Sequence, residues 1–133
     1  EIMGMKGSVI AFNAGFEMGR LKECAKVLPI YKKWVESIEE RIIDLLQPFR
    51  AFAYYHPQQD GSCSIKKVLP VLTGKSYADM EIGDGGTASS EYFRITFTED
   101  NKDKDKVRKL LKEYCGLDTM GMVDIVEQLY ILK

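Results

Sequence analysis

The sequence predicts an α/β domain, rich in helix, with a small parallel or mixed sheet. Three observations lead there. Two short apolar runs, "SVIAF" (8–12) and "RIIDL" (41–45), have strand length, and the second is rich in β-branched residues. The segment between them has helical spacing, and a strand–helix–strand order favours parallel pairing. Near the other end, "EYCGLDTMGMVDIVEQL" (113–129) repeats its apolar residues at helical period, with Leu111, Tyr114, Met122, Ile125 and Leu129 on one face.

Taken in order, 8–12 is continuous enough in apolar residues for a strand covered on both faces. Asn13 occupies the position of a helix N-cap, and "AGFEMGRLKECAKVL" (14–28) follows with helical spacing. Pro29 ends or restarts that helix, and "IYKKWVESIEE" (30–40) reads as a second one. For 41–45 a strand is favoured, with a continuation of the preceding helix as the alternative. Pro48, Pro57 and Gly61 punctuate residues 47–63, which predicts turns. "SIKKVLPVL" (64–72) opens on a capping Ser64 and predicts a short helix cut near Pro70. Residues 74–90 read as a loop with a mobile middle, and "SSEYFRITF" (89–97) is ambiguous. The polar run "TEDNKDKDK" (98–106) then leads into a long helix from about Val107 to the end.

With 133 residues, 45% hydrophobic, the chain is the size of a single domain spanning 1–133. A formal net charge of −1 excludes a generally basic nucleic-acid surface. No apolar run approaches the roughly 18 residues that cross a membrane, so no membrane partner is expected. Cys24, Cys63 and Cys115 are odd in number and far apart, which suits a reducing, cytoplasmic setting. A single histidine, His56, excludes a site needing several imidazoles. The chain reaches its first apolar run within nine residues and does not start with methionine. It therefore reads as a piece cut from a longer protein, with an uncovered sheet edge or face through which it would self-associate.

Two carboxylates interrupt apolar helical stripes. Glu17 shares a stripe with Leu21, Cys24 and Leu28, and Asp118 lies four residues after Tyr114 and four before Met122. A buried carboxylate is costly unless it is paired, hydrogen-bonded or bound to a metal. Either acid alone is more simply read as bonded to an arginine or an amide. Two of them, one just past a strand's carboxyl end, favour a shared cation, and hard oxygen donors suit Mg²⁺ or Mn²⁺.

These residues carry a resemblance. "VIAFNAGFEMGRL" resembles the second motif of the DEDD 3′–5′ exonucleases, which have an RNase H-like fold, and "YCGLDTMGMVDIVEQL" is similar to their third motif in its tyrosine form. "RIIDLLQPF" and "GSCSIKKVLP" resemble the middle strand and the Ser-initiated helix of that family. More closely, the ordered set "NAGFE", "DLLQPF", "YYHP", "GSCSIKKVLP" and "YCGLDT" resembles an uncharacterised bacterial family, domain of unknown function 2779, over nearly the whole chain.

The resemblance implies a truncated RNase H-like fold in which Glu17 and Asp118 hold metal and Tyr114 positions or deprotonates the attacking water. Asn13, a cap first, becomes a substrate contact second. Two divalent ions would stabilise both the attacking and the leaving oxygen of a phosphodiester. The substrate implied is a single-stranded DNA or RNA end. The family's first motif, Asp-x-Glu, is absent and would lie before residue 1, so the piece is expected to be inactive. Glu17 also stands where most of these exonucleases have Asp. The alternatives are a nucleic-acid-binding module that has lost catalysis and a protein-interaction domain.

Other residues have plainer readings. Asp44 suits a helix cap or a solvated turn, His56 a satisfied loop position, and Trp34 the core. "TGKS" lacks the glycine a phosphate-binding loop needs five residues before Gly74, where Leu69 stands. Lys66, Lys67, Lys102, Lys104, Lys106, Arg108 and Lys109 could steer a phosphate backbone. The later ones alternate with aspartates, however, as in a solvated helix start.

Overall fold

The computed structural model describes residues 6–132, which fall into two compact units that divide between Ser64 and Ile65. In the first unit, β1 (Val9–Ala11) leads through α1 (Ala14–Val27), a 3₁₀ turn at Pro29–Tyr31 and α2 (Lys32–Glu39) to β2 (Ile42–Asp44). Residues 41–45 thus contain a strand. It pairs in parallel with β1 in a two-stranded sheet, Val9 opposite Ile42 and Ala11 opposite Asp44.

Met18, Val35 and Ile38 form the centre of this unit, with Val9, Leu21, Ala25, Trp34 and Ile42 packed around them. Trp34 therefore belongs to the core. The strands are not covered on both faces as the sequence suggested: Ile10 is 36% and Ile43 49% exposed. Successive strand side chains alternate between faces, and α1 and α2 pack on the Val9–Ile42 side. A short helix, α3 (Gln47–Arg50), follows β2 and buries Phe49 against the rings of Phe12 and Tyr54. His56 is a satisfied loop residue, its Nδ1 accepting from the Gln58 amide while its own amide donates to the buried Gln59 side chain.

The second unit consists of α4 (Ile65–Thr73), α5 (Gly85–Phe97) and α6 (Lys104–Ile131). Two expectations change here. First, α4 runs through Pro70 rather than stopping at it. Proline there forfeits a single amide bond, and Val68 and Leu69 are fully buried on that helix, so packing outweighs the interruption. Second, much of the expected loop is helix. Asp84 caps α5, its carboxylate accepting from the Thr87 amide at 2.9 Å and the Thr87 hydroxyl at 2.6 Å. Gly85 and Gly86, read as breakers, are the first turn of a capped helix.

Ile82, Ile95 and Val107 centre the core between α5 and α6. Arg94 joins the two helices by pairing with Glu91 on its own helix and with Asp103 at 3.0 Å, just before α6. Farther along the same face of α6, Gly121 receives Leu69 of α4: a Cβ on Gly121 would meet a Leu69 methyl carbon at 3.0 Å. α6 starts inside the polar run, at Lys104, and Lys133 at the expected helix end lies outside the described residues.

Candidate functional site

Each acid singled out in the sequence sits on a helix, but the two helices treat them differently. On α1 the packed stripe is Ala14, Met18, Leu21 and Ala25, whereas Glu17, Cys24 and Leu28 are exposed. This corrects the placement of Glu17 on the inward face. The two candidate stripes differ by one residue in phase, and α2 packs against the one holding Met18 and the small alanines. Burial therefore gives Glu17 no need of a compensating cation.

Asn13 stands at the N-cap position of α1, as its place in the sequence suggests, but its side chain does not supply the cap. Its backbone is left-handed, φ 73°, and its side chain makes no capping bond. The cap comes from across the sheet. Asp44 Oδ1 accepts from the Asn13 amide at 2.9 Å and from the Leu46 amide at 3.0 Å. Partial burial works to raise the Asp44 pKa, but the Leu46, Asn13 and Ala14 amides outweigh it and hold the carboxyl below its ordinary value. The parallel register places Asp44 beside the start of α1, where a negative charge also suits the helix dipole.

In the second unit, α6 does carry Asp118 in its packed stripe: Leu111, Tyr114, Asp118, Met122 and Leu129 are half-buried and Ile125 is fully buried. The Tyr77 hydroxyl donates to Asp118 Oδ1 at 2.6 Å. Tyr77 is 6% exposed and lies between α4 and α5. Its ring packs against that of Tyr114, with centroids 6.0 Å apart. The Lys66 ammonium stands 5.8 Å from the Tyr77 ring centre and 6.0 Å from that of Tyr114, within cation–π range. A Cβ at Gly85 would touch the Tyr114 hydroxyl at 3.7 Å, so that phenol abuts the first residue of α5.

The electrostatics set what these phenols can do. Burial first and the Asp118 carboxylate second push Tyr114 up to about 12, and the same causes raise Tyr77 further. Both are protonated donors at neutral pH. Tyr77 was missed by the sequence reading. It lies 41 residues from Asp118 in a segment with no periodicity, and no local signal marks it.

Asp118 and Glu17 are hard oxygen donors of the kind Mg²⁺ or Mn²⁺ takes, and each is described within its own unit. The donor count falls short of a closed site: among the described residues no three His, Cys, Asp or Glu side chains group to hold a metal. Among the same residues no helix is long and apolar enough to cross a membrane.

Two curated proteins are similar over most of this sequence. An uncharacterized protein of Mycoplasma pneumoniae, the MG366 homolog, is 29% identical over 131 residues covering 89% of the chain. The uncharacterized protein UU173 of Ureaplasma parvum is 27% identical and covers 92% of the chain. The chain spans 20% of the length of each of these relatives. No solved structure matches it. Residues 1–64, the unit built on the β1–β2 pair, match the family described as Domain of unknown function (DUF2779).

Proposed function

We propose that this chain is part of a metal-dependent 3′–5′ exonuclease-like domain of RNase H-like fold, acting on a single-stranded DNA or RNA end. The observation that carries the reading is Asp118, a carboxylate kept in the packed face of α6, bonded by Tyr77 and one turn after Tyr114. A protein that needed only packing at that position would be served by leucine. Divalent ions, when bound, supply charge stabilisation for in-line displacement at a phosphodiester. In the second unit Asp118 is the side chain that would hold such an ion. Tyr114, protonated at neutral pH, would orient the attacking water by donating or accepting a hydrogen bond.

A second reading, a nucleic-acid-binding module without catalysis, is favoured by the exposure of Glu17 and by the short donor count among the described residues. One experiment separates the two. The product of the complete gene is incubated with end-labelled single-stranded DNA and RNA in Mn²⁺ or in EDTA. Stepwise shortening in Mn²⁺, absent in EDTA and in Asp118→Asn, supports the enzyme. Salt-sensitive binding without shortening, unchanged in Glu17→Gln and Asp118→Asn, supports the binding module. Self-association through the β1–β2 face belongs to the same proposal. Sedimentation of the 133-residue chain as a strict monomer at high concentration would remove it.

A further inference from the structure

We propose that the exposed rings of Phe52 and Tyr55 form a stacking platform for an unpaired base of single-stranded nucleic acid. This rests on the reading of the chain as directed at single strands and names where such a strand would be held. The observation that carries it is the end of α3. There the Phe52 amide donates to the Phe49 carbonyl at 3.2 Å and the Ala53 amide to the Pro48 carbonyl at 2.9 Å, the bond pair of a Schellman cap. Such a cap turns on a left-handed residue, and glycine serves best there because it has no side chain to clash. Here the position is held by Phe52, at φ 54°.

Packing does not repay that conformation. Phe52 is 68% exposed, and its ring leans on that of Tyr55, itself 45% exposed, with centroids 5.8 Å apart. Glycine would suit the turn better and burial gives the ring little return, so the partner that rewards it comes from solvent. The neighbouring sequence selects that partner. From Leu45 to Gln59 the chain has no acid, and Arg50 is its one arginine or lysine. Arg50 is exposed and, among the described residues, pairs with no carboxylate. Open aromatic faces with a guanidinium two residues away in sequence suit a base and its phosphate, which every single strand offers.

The test uses the protein expressed from its complete gene and fluorescein-labelled oligothymidylate, in EDTA to prevent cleavage. An abasic strand of equal length and a proline-rich peptide are the control probes. Fluorescence anisotropy gives the affinities of the unaltered protein, Phe52→Gly and Arg50→Gln, and the thermal midpoint of each is recorded. The expected result is oligothymidylate binding that weakens about fivefold or more in Phe52→Gly, while the thermal midpoint of that variant stays level or rises. The abasic strand offers phosphates and no base, so it should not distinguish Phe52→Gly from the unaltered protein. Arg50→Gln should weaken both strands. If Phe52→Gly binds oligothymidylate as tightly as the unaltered protein, the platform is overturned and the single-strand reading stands. A fall in the thermal midpoint of Phe52→Gly would make the ring a packing residue and overturn the platform as well. If the unaltered protein takes up the peptide and neither strand, or takes up nothing, the single-strand reading falls and the platform with it.

Discussion

Glu17 and Asp118 are both acids interleaved with apolar residues at helical spacing, yet they occupy opposite surroundings. Glu17 stands in solvent on α1, beside a packed stripe that passes one residue away. Asp118 lies within the packed stripe of α6, and a buried phenol from a distant loop donates to it. An exposed carboxylate keeps its hydration and asks nothing of its neighbours. A half-buried one must recover from the protein the hydrogen bonds it gave up in water. The same one-dimensional pattern therefore means a solvated charge on one helix and a built polar contact on the other.

Substitutions can break this contrast or sharpen it. The largest effect is expected from Tyr77→Ala, which deletes a buried ring and the donor together; urea denaturation should show a loss of about 3–5 kcal/mol. Asp118→Ala comes next, at about 1–3 kcal/mol, because it strands the Tyr77 hydroxyl without an acceptor. Asp44→Ala removes the carboxylate that caps α1 and should cost about 1 kcal/mol. Smallest is Glu17→Ala, which should stay within about 0.5 kcal/mol of the unaltered chain. Equal losses in Glu17→Ala and Asp118→Ala would erase the contrast.

Acid pH offers an independent check on the first unit. The folded pKa of Asp44 lies below its ordinary value of 3.8, so its contribution is complete above that pH and is lost as pH falls through the folded value. The Asp44 contribution to the thermal midpoint should therefore fade below about pH 4, and Asp44→Asn should remove that part of the acid limb, leaving the parts due to Asp84 and Asp103. An identical acid limb in the variant would show that the Asn13 and Leu46 amides do not depend on the Asp44 charge.

Much of the secondary structure was legible in local pattern. The strands at 9–11 and 42–44, the helix after Asn13 and the long last helix all follow from apolar period and length. Errors fell where one local rule overrode another. Pro70 was read as a stop, but the burial of Val68 and Leu69 carries the helix through it. The glycines after Asp84 were read as loop, although Asp84 supplies the acceptor that starts a helix there.

The candidate site divides along the same line. That Tyr114 and Asp118 share a face was fixed by their spacing of four on a helix, a geometry that needs no knowledge of the rest of the chain. Which phase of α1 is buried was decided by α2, because stripes one residue apart are nearly equal in apolar content until a neighbour packs on one. The cap of α1 came from Asp44 because strand register brought it there, and the partner of Asp118 came from Tyr77 across 41 residues. Sequence by itself determined the contents of each helix and strand, since period and propensity act over a few residues. Tertiary structure alone decided which polar groups meet, since such contacts join chain segments whose proximity no local pattern encodes.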